Sequence, residues 1–217
     1  MVKTIFHLVA ISYIIMKTHS LNLPSVYRFW DWFSSNCTKF GQDFTMNYYF
    51  DELNNRISEL GEFVWEIGPG NKSLNQLVIS PGGDIEKLPL TKEIIKYAKV
   101  LSDWEFYYAK PIKNWNFEFN FEQLDGNILY INAFRWKYTL LKFDDGMFEI
   151  IIQTNDLKHL IEEDKRTASE ILIDGILGEE KQMSLICDIE IVDQFEDRYI
   201  NSQTDIKDLY IHFKNLV

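Results

Sequence analysis

Histidine, cysteine, proline and glycine are all scarce in this chain of 217 residues, which holds 4 His, 2 Cys, 5 Pro and 10 Gly. The histidines are His7, His19, His159 and His212, and no two stand four residues apart; the position after His159 at that spacing is Glu163. A helical pair of imidazoles for zinc is therefore excluded. Neither His159 nor His212 adjoins a nucleophile motif, and no Gly-x-Ser-x-Gly run occurs. The signatures of Ser-His-Asp and Cys-His catalysis are missing. Cys37 and Cys187 are too few for a disulfide framework or a thiolate zinc site. They read as free thiols of a cytosolic protein, and a long-range disulfide would require export. The few glycines form neither a Gly-x-x-x-x-Gly-Lys-Ser/Thr loop nor a Gly-x-Gly-x-x-Gly turn into a helix. Gly68-Pro69-Gly70 suits a hairpin turn. Gly82-Gly83-Asp84 precedes a helical pattern and can present backbone N–H groups to an anion, although a turn with a helix cap explains it as well. No catalytic, metal or cofactor residue is assigned.

What the chain has in quantity is acid, apolar surface and aromatics. Its 33 Asp and Glu against 22 Lys and Arg give a formal charge of −11, with 46% hydrophobic and 15% aromatic residues. That apolar content is enough for a folded core and argues against disorder. The negative balance repels phosphate, which excludes non-specific nucleic-acid binding and adhesion to anionic lipid, and leaves a basic protein as the favoured class of partner.

Residues 1–20 stand apart. Lys3 precedes an apolar run from Ile5 to Met16, too short to cross a bilayer, where about 20 apolar residues are needed. Three readings remain open: a start of translation at Met16, a weak signal peptide, or a true N-terminal element. Without residues 1–20 the chain loses Lys3 and Lys17 and no acid, and its charge becomes −13. Localisation is expected to be cytoplasmic, or exported if the segment is a signal.

Residues 21–217 read as one globular domain without a linker. Pro24 to Phe40 is a predicted helix capped by Ser25. A second helix, about 43–60, is capped by Asp43 after a stop at Gly41. Then Phe63–Ile67 and Leu74–Ser80 read as a hairpin, Leu88–Leu101 as a helix and Trp104–Ala109 as a strand. The order recurs: Arg135–Phe143 and Met147–Gln153 flank the turn Asp144-Asp145-Gly146, a helical pattern covers about 156–177, and Ser184–Val192 is a strand. The halves, about 62–110 and 135–192, share element order but not sequence. Between them Phe117, Phe119 and Phe121 alternate as in a strand, and Ile206–Leu216 is a C-terminal helix. The expected fold is α+β: two strand-strand-helix-strand halves, antiparallel sheets with helices on one face, preceded by two N-terminal helices.

Four local patterns occur in order: Phe29-Trp30-Asp31-Trp32-Phe33; Leu77-Val78-Ile79-Ser80; Ser102-Asp103-Trp104-Glu105-Phe106 with Lys110-Pro111; and Ile173-Asp174-Gly175-Ile176-Leu177-Gly178-Glu179. Together they resemble a family of uncharacterised bacterial proteins, over about residues 25–190. The family pattern has Ala-Pro before the Trp strand where this chain has Tyr97-Ala98-Lys99-Val100. The resemblance implies bacterial origin and a soluble α+β fold, and no reaction, cofactor or catalytic residue.

The candidate interaction residues are Trp30, Trp32, Trp65 and Trp104, with Asp174 and Glu179 as the acids to inspect first. Tryptophans default to core packing but dominate binding hot spots. Trp30 and Trp32 cannot both face one side of a helix. Asp174 and Glu179 flank the helix end at Gly178, where their alternative role is to cap and tie that turn. The favoured function is a non-catalytic interaction, regulatory or immunity-type module for a basic protein. The alternatives are an enzyme using carboxylates in a cleft between the halves, or a small-molecule binding module. Oligomeric state stays open.

Overall fold

The first helix forms because apolar side chains recur on one stripe after a capping residue. Helix α1 spans Leu23–Asn36 and buries Val26, Phe29, Trp30 and Phe33. Its cap is Asn22, whose side chain accepts from the Ser25 backbone N–H at 3.4 Å, so the cap lies three residues before the expected Ser25. A 3-10 turn at Cys37–Lys39 carries the chain on. Helix α2, Tyr48–Ser58, presents Phe50, Leu53 and Ile57 to the same core. This computed structural model describes residues 21–40, 44 and 48–217; the expected stop at Gly41, the cap at Asp43 and the readings of residues 1–20 lie outside them.

The strand-strand-helix-strand order is realised twice. In the first half β1 (Val64–Pro69) pairs antiparallel with β2 (Asn75–Ser80), helix α3 (Leu88–Lys96) crosses over, and β3 (Trp104–Tyr107) joins β2 in parallel. The chain then makes a separate hairpin, β4 (Glu118–Glu122) with β5 (Ile128–Asn132), where alternation at Phe119 and Phe121 had suggested one strand. In the second half β6 (Lys137–Lys142) and β7 (Phe148–Gln153) pair antiparallel. The turn between them needs Gly146, whose φ of 87° is open to glycine at little cost. Helices α4 (Glu162–Leu177) and α5 (Glu179–Leu185) lead to β8 (Ile186–Val192), which lies parallel to β7. Parallel neighbours need a crossover connection, which α3 supplies in the first half and α4 with α5 in the second. Each of the two larger sheets thus combines the expected antiparallel hairpin with one parallel strand. Strand β9 (Thr204–Asp205), too short for periodicity to reveal, closes the order β8-β7-β6-β9, and helix α6 (Leu209–Leu216) ends the chain.

Boundaries shift where turn chemistry beats periodicity. Residues 155–161 keep apolar Leu157 and Leu160 inside, yet form turns, and α4 starts only at Glu162. Gly178, whose φ of 83° ends α4 at Leu177 as the pattern predicts, also lets the short helix α5 start at once, so the strand expected from Ser184 begins only at Ile186.

Two apolar clusters result. One gathers α1, α2, β2 and α3 around Phe29, Trp30, Phe33, Leu77, Ile79 and Ile94. The other gathers the β6–β7 sheet, α4 and α6 around Tyr138, Ile150, Ile152, Leu172, Ile176 and Phe213. The Tyr138 hydroxyl lies 2.8 Å from His212 Nδ1, and burial pushes its pKa up to about 12. Among the described residues, no helix is long and apolar enough to cross a membrane.

Candidate functional site

The break at Gly178 puts Asp174 on the last turn of α4 and Glu179 on the first residue of α5. Glu179 is fully buried, at 0% exposure. One of its oxygens accepts from Ser80 Oγ at 2.6 Å and from the Gly83 N–H at 3.1 Å, both at the end of β2. Its other oxygen accepts from the Lys110 N–H at 2.8 Å. The Glu179 N–H donates in return to the Lys110 carbonyl at 3.0 Å. Lys110 Nζ reaches Asp174 Oδ2 at 3.2 Å, and the Lys113 N–H donates to the Gly175 carbonyl at 2.8 Å. Glu180, next in sequence, accepts from Lys92 Nζ at 2.6 Å and from the Tyr108 hydroxyl at 2.7 Å. These bonds join residues of the first half to residues of the second.

The electrostatics of this junction follow from two buried carboxylates near one half-buried ammonium, that of Lys110, which bonds Asp174. Burial pushes Asp174 up to about 6; Lys110 opposes the shift and Glu179 adds to it. Asp174 Oδ1 is buried with no hydrogen-bond partner, which suits a carboxyl that holds its proton more tightly. Burial works against charge on Lys110 as well, but Asp174 and Glu179 outweigh it and raise its pKa. Asp174 and Glu179, the two acids singled out in the sequence, both lie at this junction, where both Glu179 oxygens and Asp174 Oδ2 accept from donors of the same chain. Ser80, Lys110, Asp174 and Glu179 come from three of the four sequence patterns, and that shared destination was the signal the one-dimensional reading missed.

The tryptophans divide. Trp30 is 1% exposed and its indole N–H donates to the Ile94 carbonyl at 2.8 Å. Trp104 is 8% exposed and packs edge-on against Phe33. Both belong to the first core. Trp32 is half-buried with the Arg56 guanidinium 4.7 Å above its ring, and Trp65 is half-buried with its N–H 3.1 Å from Asn54 Oδ1. Of these four, Trp32 and Trp65 keep exposed area for a partner.

A second feature lies on the β7–β8 side. Strand β8 is the terminal strand of its sheet. Glu149 on β7 is in register with Asp188 on β8, and Glu190 follows two residues on. Partial burial and then the carboxylates of Asp188 and Glu190 raise the pKa of Glu149, with Arg198 offsetting part of the effect. Asp188 and Glu190 are exposed. Periodicity identifies such a strand but not its place at a sheet edge, so these acids were invisible in sequence.

A cleft of about 880 Å³ opens between the β4–β5 hairpin and the ends of β6 and β7, with Glu118, Phe134, Arg135, Trp136, Asn155 and Asp156 in its wall. Its two acids are engaged: Glu118 accepts from Asn132 Nδ2 at 2.9 Å, and Asp156 from the Trp136 indole N–H at 2.8 Å. Comparison of the chain with protein-family models, with curated proteins and with solved structures finds no match.

Proposed function

We propose that this chain is a non-catalytic protein-interaction module of regulatory or immunity type, bacterial and cytoplasmic, whose partner is a basic protein. The observation that supports it most is the acidic row Glu149, Asp188 and Glu190, whose mutual repulsion is only partly offset by Arg198. Carboxylates held close and only partly neutralised gain when a cationic surface arrives, and they also speed its approach. The −11 charge acts in the same direction over longer range. Free Cys37 and Cys187 suit a reducing compartment. The test measures binding to a panel of basic and acidic proteins of matched size at low and moderate salt. The reading expects binding confined to basic members and weakened by the triple change Glu149→Gln, Asp188→Asn, Glu190→Gln. Equal binding by the triple variant would overturn it.

The cleft beside Phe134, Arg135 and Trp136 favours a second reading, a small-molecule binding module. Thermal-shift screening with polar metabolites would reveal stabilisation by one ligand class. No shift across the screen would remove that reading.

A further inference from the structure

The acidic row lies on a strand edge, and the edge has a chemistry of its own. β8 is seven residues long, the longest strand among the described residues, and none of its positions is Pro or Lys. Edge strands are normally kept from pairing by being short, by Pro, by Lys or by a bulge. The other edges of the larger sheets fit that rule better: β9 has two residues, β3 has four and β1 ends in Pro69. On β8 a register shift makes Cys187 an extra residue opposite Phe148 and Glu149, so regular pairing runs from Asp188 to Val192. Over that stretch the guard is negative charge alone.

We propose that the Asp188–Val192 edge of β8 binds its partner by strand addition, taking an extended basic segment as a further strand of the sheet. The proposal rests on the basic-partner reading above and names how that partner is held. Two further observations carry it. The Asp188 carboxylate accepts the Ile189 N–H at 2.9 Å, which keeps that backbone donor occupied by a local side chain. An incoming carbonyl can take over the donor while an incoming Lys or Arg takes over the carboxylate, so the salt bridge and the ladder bond form together. Beside the strand, a groove of about 410 Å³ runs between β8 and α4, with Asp188, Ile189, Ile191, Lys165, Arg166 and Glu170 in its wall. Ile189 and Ile191 pack toward the second core, whereas Asp188 and Glu190 alternate with them and are exposed. A bound strand therefore sets basic side chains beside Asp188 and Glu190 and small apolar ones beside Ile189 and Ile191, in alternation. A second copy of this chain is a poor occupant, because edge-to-edge pairing sets Asp188 and Glu190 against their own counterparts.

The test uses the full chain and a short synthetic strand alternating lysine with valine. Its controls are the same strand N-methylated at alternate residues and a version with glutamate in place of lysine. Readouts are affinity by fluorescence anisotropy and amide exchange of residues 188–192. The expected results are protection of those amides, affinity lost on N-methylation, and affinity lowered about tenfold by Asp188→Asn with Glu190→Gln. Equal affinity of the plain and N-methylated strands, with the charge dependence retained, would overturn strand addition and leave the basic-partner reading standing. No affinity for the lysine strand, or equal affinity for the glutamate strand, would overturn strand addition; the protein panel above then decides the broader reading separately.

Discussion

Glu179→Ala is the substitution whose cost the geometry fixes most tightly. The wild-type carboxylate is wholly buried and receives three hydrogen bonds, from Ser80 Oγ and from the backbone N–H groups of Gly83 and Lys110. Alanine leaves three donors facing a void, and an unsatisfied buried donor costs about 1–3 kcal/mol. Two effects reduce the sum. Water can enter a polar void, and Asp174 loses a like-charged neighbour that now raises its pKa. The net cost is about 3–5 kcal/mol, the range for breaking one side of a buried charged cluster. That is a large part of the roughly 5–15 kcal/mol that holds a typical domain folded. The assay is urea unfolding at neutral pH, followed by tryptophan fluorescence and far-UV circular dichroism. Ser80→Ala and the double variant complete a cycle, with expected coupling of about 1–3 kcal/mol. Glu180→Gln is the control, because its partners Lys92 and Tyr108 are near the surface and the change costs about 1 kcal/mol or less. A Glu179→Ala cost below about 1 kcal/mol, or zero coupling to Ser80, would refute the reasoning.

Asp174 has a folded pKa of about 6, above its unfolded value of 3.8. The folded state therefore holds the extra proton, and stability falls as pH rises from 4 to 6, by about 3 kcal/mol from this group. Asp174→Asn should gain on wild type by that amount between pH 4 and pH 7 in paired urea titrations, and a pH-independent difference would count against it. Gly175→Ala would drive a Cβ into the Trp115 ring. Overpacking of about 1–3 kcal/mol should outweigh the roughly 1 kcal/mol gain in helix propensity, read as a lower midpoint and altered indole emission. Glu149→Gln removes the centre of the acidic row, and should raise stability by a few tenths of a kcal/mol at low salt and less at high salt. Unchanged stability at both ionic strengths would show that the repulsion is already screened.

Local pattern carried the element order a long way, since each half needs only period-two strands, one amphipathic helix and turns at Gly-Pro-Gly and Asp-Asp-Gly. Periodicity does not say whether a strand after a crossover lands parallel, nor that β9 exists at two residues. It also overextended the helix before Glu162, because Leu157 and Leu160 are buried from turns as effectively as from a helix. Asp174 and Glu179 stood out because they bracket a glycine at a helix end. Their partners did not, because Ser80 and Lys110 lie 99 and 69 residues from Glu179 along the chain.

The same composition is used in two opposed ways, and that opposition bears on where a partner can bind. At the junction, Asp174 and Glu179 are buried and Glu180 is half-buried, and each meets a donor from the first half. An external cation would have to displace bonds that hold the halves together, so this cluster is a poor recognition surface however acidic it looks in sequence. At the β7–β8 edge, Glu149, Asp188 and Glu190 repel one another, and the charges of Arg198 near Glu149 and of Arg166 near Asp188 offset part of the strain. There an external cation displaces little and relieves repulsion. The acids most conspicuous in sequence are thus the ones already spent on stability, and those free for recognition become visible only once β8 is seen to end its sheet.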